Sequence, residues 1–438
     1  MTQLTHEQQD AAQAFFSFMM TDDAPTFILS GGAGVGKTYL MDYISKVTMK
    51  KYLDGCKILG LEPDYDEVVF TATTNKAAEV LEKTIGKHVS TIHSYLGLKV
   101  KEDYSTGKTN LIETDRYGFK YNKIVFIDEC SMIDTALMDL IMKSFKDSKI
   151  VFVGDHAQMA PINEESSPIY DDVDPDNFVF LSQPVRNAGS PALVNLCTQL
   201  RNTVETGVFN PIMEVPGSIE YLDDSQMQHK LAQVFMDPNH SSRVLCYTNT
   251  RVAQFNEHLR AVRGLPEEFV VGDVLVVAST YAAGKTVLNV EREVRVVEAD
   301  NLIHEGGYEW AFTKKPLIYR KLKILPLSGP NQFEVEVKVP VNTQVFAAGL
   351  KVAAKAKRWQ EYYALKNGYA DLRDRDACTV YKSQGSTYET VFIDIGNIGT
   401  SYDPVQVARM LFVGVSRATT KVYLYGRLPS QYVGKAAA

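Results

Sequence analysis

Three groups of residues have the types and spacing that would act on a nucleoside triphosphate. The first is Gly31 to Thr38, GGAGVGKT, which fits G-x-x-x-x-G-K-[ST]. Gly31, Gly32, Gly34 and Gly36 lack β-carbons, so the backbone N–H groups around Ala33 and Val35 can turn inward onto phosphate oxygens, while Lys37 neutralises the β- and γ-phosphates and the Thr38 hydroxyl holds Mg²⁺. The second is KIVFIDECSM, in which an apolar run delivers Asp128 and Glu129 side by side. Asp128 suits a hydrated Mg²⁺ and Glu129 suits a general base acting on water. The third is KIVFVGDHAQMAP, where Asp155 and Gln158 follow another apolar run and the neutral amide of Gln158 could report on a γ-phosphate.

Each group has a plainer reading: a flexible Gly-rich turn, an acidic helix cap, a Gly-Asp turn. Their order along the chain argues against all three being accidental. A phosphate-binding loop is useful only at the carboxyl end of a buried strand, followed by a helix. The elements needed are legible. Thr26–Ser30, Glu67–Ala72, Lys123–Asp128, Lys149–Gly154 and 178–181 are rich in Val, Ile and Phe, as parallel strands buried on both faces are. A helix with Ala11, Phe15, Phe18 and Met19 on one face precedes them, capped by Thr5, and another starts around Tyr39. A third is expected near Ser131–Ser144.

Further strands are predicted at Arg243–Tyr247, Thr390–Ile395 and Lys421–Tyr425, with a helix over 250–262, which makes a second α/β unit. Two stretches break the pattern. LKVKEDYSTGKTNLIETD has a turn signal at Ser105 to Lys108 between polar arms, as an inserted hairpin would. Between about 267 and 375, FVVGDVLVVAST, VEREVRVVEAD and NQFEVEVKVPVN alternate with period two, which predicts a small β-barrel-like module. The charged segment over 350–372 is expected to be one loosely packed or projecting helix.

The composition excludes little and is consistent with a cytoplasmic, non-membrane protein. With 438 residues the chain exceeds one ordinary core, and 45% hydrophobic and 23% charged residues are globular values. A net charge of −7 leaves no global basic footprint, so any nucleic acid must meet a local groove. Five scattered cysteines without a C-x-x-C pair fit a reducing compartment. The first residues do not read as a signal peptide, and no apolar run reaches spanning length.

These motifs, with seven more, resemble the superfamily 1 helicases of the RecD-like branch over nearly the whole chain. LTHEQ is similar to the adenine-recognising Gln motif, pointing to Gln8; GGAGVGKT is motif I, with Tyr39 beside it. TATTNKAAEVL and STIHSYLG resemble motifs Ia and Ib, DECSM and GDHAQMAP motifs II and III, and LSQPVRN the motif with an arginine finger, here Arg186. YTNTRVAQFN matches a strand–helix motif of the second motor domain, TVYKSQGSTYE with Gly385 is motif V, and LFVGVSRA is motif VI, ending in Arg417. Motif V departs from the usual pattern: Tyr381 stands where His is common, keeping a ring and a hydroxyl but not protonation near neutral pH.

The resemblance implies two RecA-like parallel-sheet motor domains, 1–86 with 122–189 and 190–266 with 376–438, carrying a pin or wedge at 87–121 and an SH3-like module with a helical extension at 267–375. It implies ATP and Mg²⁺ as cofactors, Arg186 and Arg417 as groups reaching the γ-phosphate, and 5′-to-3′ translocation on single-stranded DNA with unwinding at single/double-strand junctions. Thr73, Thr74, Asn75 and His93 in the first half, and Thr248, Asn249, Thr379, Tyr381 and Lys382 in the second, have donors or rings suited to phosphates, sugars or bases. Singly, such residues are more often helix caps or turn residues. The expected partner is single-stranded DNA met by a monomer, with replication or single-strand-binding proteins as further candidates, in host-cell cytoplasm if the source is a phage. A translocase that strips bound proteins, a phosphate-loop small-molecule kinase and a non-catalytic nucleic-acid-binding module are the competing readings. Lys37→Ala is predicted to abolish ATP turnover while leaving the thermal melt unchanged; residual wild-type turnover would remove Lys37 from the site.

Overall fold

The computed structural model describes residues 4–433 apart from 22–23, 66, 104, 106–108, 162–163, 186–189, 238, 284–285, 301, 310–315 and 329–331. The chain divides into two compact units: Met1–Gly97 with Arg116–Ala253 and Ala377–Ala438, and Leu98–Asp115 with Gln254–Asp376.

The first unit holds two parallel sheets. In one, the strands run in the order Phe178–Leu181, Thr26–Gly31, Lys149–Gly154, Lys123–Asp128, Glu67–Ala72, Ser90–Thr91, every neighbouring pair parallel. In the other the order is Ile219–Leu222, Ala418–Tyr425, Tyr388–Asp394, Ser242–Cys246, Ala377–Thr379, again parallel throughout. The Val/Ile/Phe runs form strands because helices cover both faces: Ile124, Val125, Phe126 and Ile127 are all fully buried. Parallel pairing puts the carboxyl ends of all strands of a sheet on one edge, which is where the chemistry-bearing motifs fall.

The first helix, His6–Met19, starts where the sequence predicts. Thr5 caps it, Gln8 closes the capping box, and Phe15, Phe18 and Met19 face inward. The second begins at Lys37, two residues before the expected start, directly after the left-handed Gly36. The helix expected over 131–144 is broken: a short 3-10 turn, Cys130–Met132, precedes Thr135–Ser144, which takes Asp134 as its own cap. Under the first sheet the ring of Phe126 lies 5.2 Å from that of Phe70 and 5.9 Å from that of Phe15.

The second unit contains an antiparallel hairpin, Leu98–Glu102 with Thr109–Glu113, and an antiparallel sheet. The expected turn at 105–108 lies, apart from Ser105, outside the described residues. The sheet runs His304–Glu309, Pro316–Pro326, Glu293–Ala299, Val274–Val277, Leu372–Asp374, and Val335–Pro340 also pairs with the long strand. That one strand serves three partners, and among the described residues no pairing closes the sheet into a barrel.

The loosely packed helix expected over 350–372 is corrected by the structure. Two helices, Thr343–Lys355 and Trp359–Gly368, are separated at Lys357, whose φ of 56° lies in the left-handed region. They pack firmly, with Tyr363 and Leu365 only 2% and 1% exposed and Phe346, Leu365 and Tyr369 in one cluster with Leu317. The lysines and arginines hid this because the apolar positions between them form a narrow face.

Phe126→Ala should cost about 3–5 kcal/mol, the usual range for a large aromatic removed from a closed core. Urea unfolding monitored by circular dichroism measures it, and a loss under about 1 kcal/mol would mean the stack under Asp128 collapses without cost.

Candidate nucleotide site and strand-contact surface

The phosphate loop is held from outside. A β-carbon on Gly31 would lie 2.6 Å from the Leu181 carbonyl oxygen, and Gly36 combines φ of 84° with a neighbour, Gln8 Nε2, 2.5 Å from where a β-carbon would stand. Gln8 is 3% exposed and engaged at both ends: its Oε1 accepts from the Thr5 amide at 3.1 Å and its Nε2 donates to the Val35 carbonyl at 3.0 Å. The residue expected to read adenine thus also props the loop. Gly32, Ala33 and Gly34 are partly exposed while Val35 is buried, and Thr38 and Tyr39 sit half-buried in the first helical turn. The Lys37 ammonium lies over the loop, donating to the Gly31 and Gly32 carbonyls at 2.6 and 3.0 Å.

Glu7, absent from the sequence-based site, ties the first helix to the segment after the strand Phe178–Leu181. Its carboxylate accepts from the Ser182 and Gln183 amides at 2.9 Å each and from the Ser182 hydroxyl, and these bonds hold its pKa below the ordinary value. The Val185 amide then donates to the Gly34 carbonyl at 2.8 Å. Arg186, the next residue, lies outside the described residues.

Asp128 and Glu129 end the strand Lys123–Asp128. Glu129 takes φ of 55° and ψ of 41°, a left-handed conformation that costs a residue with a side chain about 1–3 kcal/mol and clusters at functional sites. Its amide donates to Asp128 Oδ1 at 2.9 Å. Burial, then the Glu129 carboxylate, push the Asp128 carboxyl from the ordinary 3.8 up to about 7, against the opposing pull of Lys37 and the Glu129 amide. A half-buried carboxylate short of positive charge, with the Thr38 hydroxyl on the loop's helix, is a donor set that fits Mg²⁺. Among the described residues no cluster of three or more His, Cys, Asp or Glu could hold a metal, so such a cation would rely on one or two protein oxygens and on phosphates. Gln158 is 3% exposed, and its Oε1 has no hydrogen-bond partner among the described residues.

Arg417 caps the helix Pro404–Ser416 and is 4% exposed. Its guanidinium donates to the Ser416 hydroxyl at 2.9 Å, the Val413 carbonyl at 3.2 Å and the Ser386 carbonyl at 3.4 Å, so it is turned inward beside motif V. Gly385, with φ of 73°, meets the first half: a β-carbon there would lie 3.7 Å from Ala77 Cα.

The strand-contact candidates repeat between the halves. Thr74 accepts from the Ala77 amide at 3.2 Å and caps the helix that Asn75 begins; Thr248 accepts from the Arg251 amide at 3.3 Å beside Asn249, which begins the equivalent helix. The Thr73 hydroxyl donates to the Glu129 carbonyl at 3.0 Å and its amide to the Asp128 carbonyl at 3.1 Å, joining motif Ia directly to motif II. Asn397, also missed in the sequence, accepts from the Tyr247 and Thr248 amides at 2.8 and 3.0 Å. In motif V, Thr379 accepts from the Lys382 amide at 3.4 Å and the Tyr381 hydroxyl accepts from Gln406 Nε2 at 2.7 Å. His93 is half-buried, and burial holds its pKa below the ordinary value despite Asp134.

Comparison with known proteins agrees with this geometry. An AAA domain family model matches residues 3–208, and a UvrD-like helicase C-terminal domain model matches 376–425. The chain is 22% identical to the ATP-dependent DNA helicase Dda of Enterobacteria phage T4, over 90% of this chain and 93% of that one. It is also 22% identical to an uncharacterized protein of Acanthamoeba polyphaga mimivirus, over 95% and 98%. A Pif1 helicase from Bacteroides in complex with ADP-AlF3 and ssDNA shares the fold, with a TM-score of 0.51 at 12% identity over 100% of this chain and 95% of that one. Two parallel sheets with a phosphate loop on the first are the fold shared with the Pif1 helicase. The chain is similar to the RecD-like helicases: besides Dda, it is 29% identical over 32% of its length to the RecBCD enzyme subunit RecD of Buchnera aphidicola.

No helix among the described residues is long and apolar enough to cross a membrane. The raised Asp128 pKa fixes a sign. Its protonated form is favoured by folding, so the associated stability is complete below about pH 4 and lost as pH rises through about 7. In metal-free buffer Asp128→Asn should therefore melt a few degrees above wild type at pH 8, about what 1–2 kcal/mol produces, with the gap closing toward pH 4. Mg²⁺ with ATP should reverse the order by stabilising only the wild type. A gap that does not change with pH would refute the assignment of buried charge.

Proposed function

We propose that this chain is an ATP-dependent DNA helicase that moves along single-stranded DNA, 5′ to 3′, as its resemblance to the RecD-like helicases implies. The observation carrying the proposal is the bond from Thr73 to Glu129. A residue of a strand-contact loop is hydrogen-bonded to the backbone of the proposed general base, so a polynucleotide on that loop can alter the base's placement.

Lys37 and the loop amides bind the triphosphate, and Glu129 takes the proton of the attacking water. Bound Mg²⁺, held by Asp128 and Thr38, would offset charge on the phosphates. Gln158 reports on the γ-phosphate from the first half. Arg186 and Arg417 stabilise the charge of the transferring phosphoryl group; arginines in this role are worth about 10³–10⁵ in rate. Closure on ATP and reopening after phosphate release then move the two grips, Thr73 to Asn75 with His93 and Thr248 to Asn249 with Thr379 to Lys382, past one strand. The hairpin over 98–113 is proposed to meet the duplex junction; it shares its compact unit with the antiparallel sheet and the two helices, which supports a bracing role for them. The chain is proposed to work as a monomer, with single-strand-binding proteins as neighbours on the DNA.

ATP hydrolysis titrated with single-stranded DNA, with RNA and without polymer tests the reading. DNA should accelerate turnover at least about tenfold, equivalent to about 1.4 kcal/mol of barrier. Turnover indifferent to polymer would favour a phosphate-loop kinase instead. An unwinding assay run beside a protein-displacement assay separates a helicase from a translocase that only strips bound proteins.

A further inference from the structure

The turn after the strand Lys149–Gly154 is covalently part of the first half but is buried with the second. Ala157 and Met159, 0% and 2% exposed, lie in one apolar cluster with Leu196, Leu200, Leu411 and Phe412. Asp155 shapes the turn: its Oδ1 accepts from the Ala157 amide at 3.1 Å, and its carbonyl accepts from the Gln158 amide at 3.0 Å. The same Oδ1 takes a 2.6 Å hydrogen bond from Arg201 Nη1, on the helix Pro191–Thr206. This pair is secluded, with side chains 12% and 0% exposed.

Arg201 is held on every side. Its guanidinium faces the ring of Phe180 in the first sheet at 4.8 Å and that of Phe412 in the second half at 6.0 Å. Nε donates to Glu205 at 3.1 Å, and Nη2 lies 3.4 Å from His156 Nδ1. It also adjoins the phosphate loop. Ser30 and Gly154 are register partners, so the two loops leave the sheet side by side, and Nη1 lies 3.9 Å from where a Gly32 β-carbon would stand. Two buried acceptors in the turn, Asp155 Oδ2 and Gln158 Oε1, have no partner among the described residues. Native interiors rarely leave such atoms unsatisfied, and those that persist tend to mark function.

We infer that Arg201 is a positioning residue for hydrolysis: through Asp155 it makes the placement of Gln158 depend on the position of the second half. The inference rests on the motor reading above. A surface ion pair could not do this, because solvent would screen it and leave the side chains mobile. Here a planar fork between two rings transmits a shift of the helix Pro191–Thr206 to a turn with one shape.

The test is steady-state ATP hydrolysis by the full chain for wild type, Arg201→Gln, Arg201→Lys, Asp155→Asn and the double variant Arg201→Gln/Asp155→Asn, with and without oligo-dT. Melting curves and equilibrium binding of a fluorescent ATP analogue accompany it. Arg201→Gln should lose about tenfold or more in kcat with strand present, with KM for ATP within about threefold, the pattern of a lost transition-state interaction. Arg201→Lys should recover part of the loss, and the double variant should be no worse than the poorer single one. Unchanged kcat in Arg201→Gln, losses that multiply in the double variant, or a loss matched by weaker analogue binding would each overturn the inference. If Arg201→Gln does not fold, Arg201→Lys and Asp155→Asn carry the same decision. Wild-type turnover that ignores oligo-dT would sink the motor reading alone, since the kcat of the variants without strand still reports on Arg201.

Discussion

A loop that binds phosphate must keep its amide donors unspent by its own chain, so its shape has to be imposed from outside. Here the Val35 carbonyl is tied to Gln8, the Gly34 carbonyl to Val185, and Gly31 is pressed against the Leu181 carbonyl. The supports come from two distant stretches, the opening helix and the segment 181–185, and each depends on the sheet to bring it near. The phosphate site is thus a product of the whole first half rather than of an eight-residue motif.

The same economy links the ends of the strands. Thr73 bonds to the backbone on either side of the Asp128–Glu129 peptide, and Asn397 gathers the turn that carries Thr248. In both halves a threonine caps a helix beside the loop proposed to meet the strand. Capping and the proposed contact are therefore compatible uses of one threonine: the cap fixes the loop, and the fixed loop presents the neighbouring asparagine. Glu129 is the exception to local comfort, held in a left-handed conformation that the surrounding hydrogen bonds sustain.

Much of this was legible in the chain. Apolar runs of four to six residues predict the first sheet, because burial on both faces leaves little choice of residue. The loop, the Asp128–Glu129 pair and the turn at Asp155 were legible for the same reason, since their chemistry restricts their composition. What escaped depends on long-range pairing. Glu7 and Arg201 sit on helix faces, and nothing in HEQQD or QLRNT says that these charges will meet partners far away in the chain. Asn397 caps a turn about 150 residues away in the chain. The two helices over 343–368 were read as one loose helix because a single left-handed residue, Lys357, has no strong sequence signal when it is not glycine.

Gln8 serves two masters. One end of its amide closes the first turn of the opening helix, and the other steadies the loop beneath Val35. Fraying of that turn and slackening of the loop are consequently a single event, so mutation cannot adjust one trait and spare the other. Drift at this position is confined to side chains that reach as far and both donate and accept a hydrogen bond.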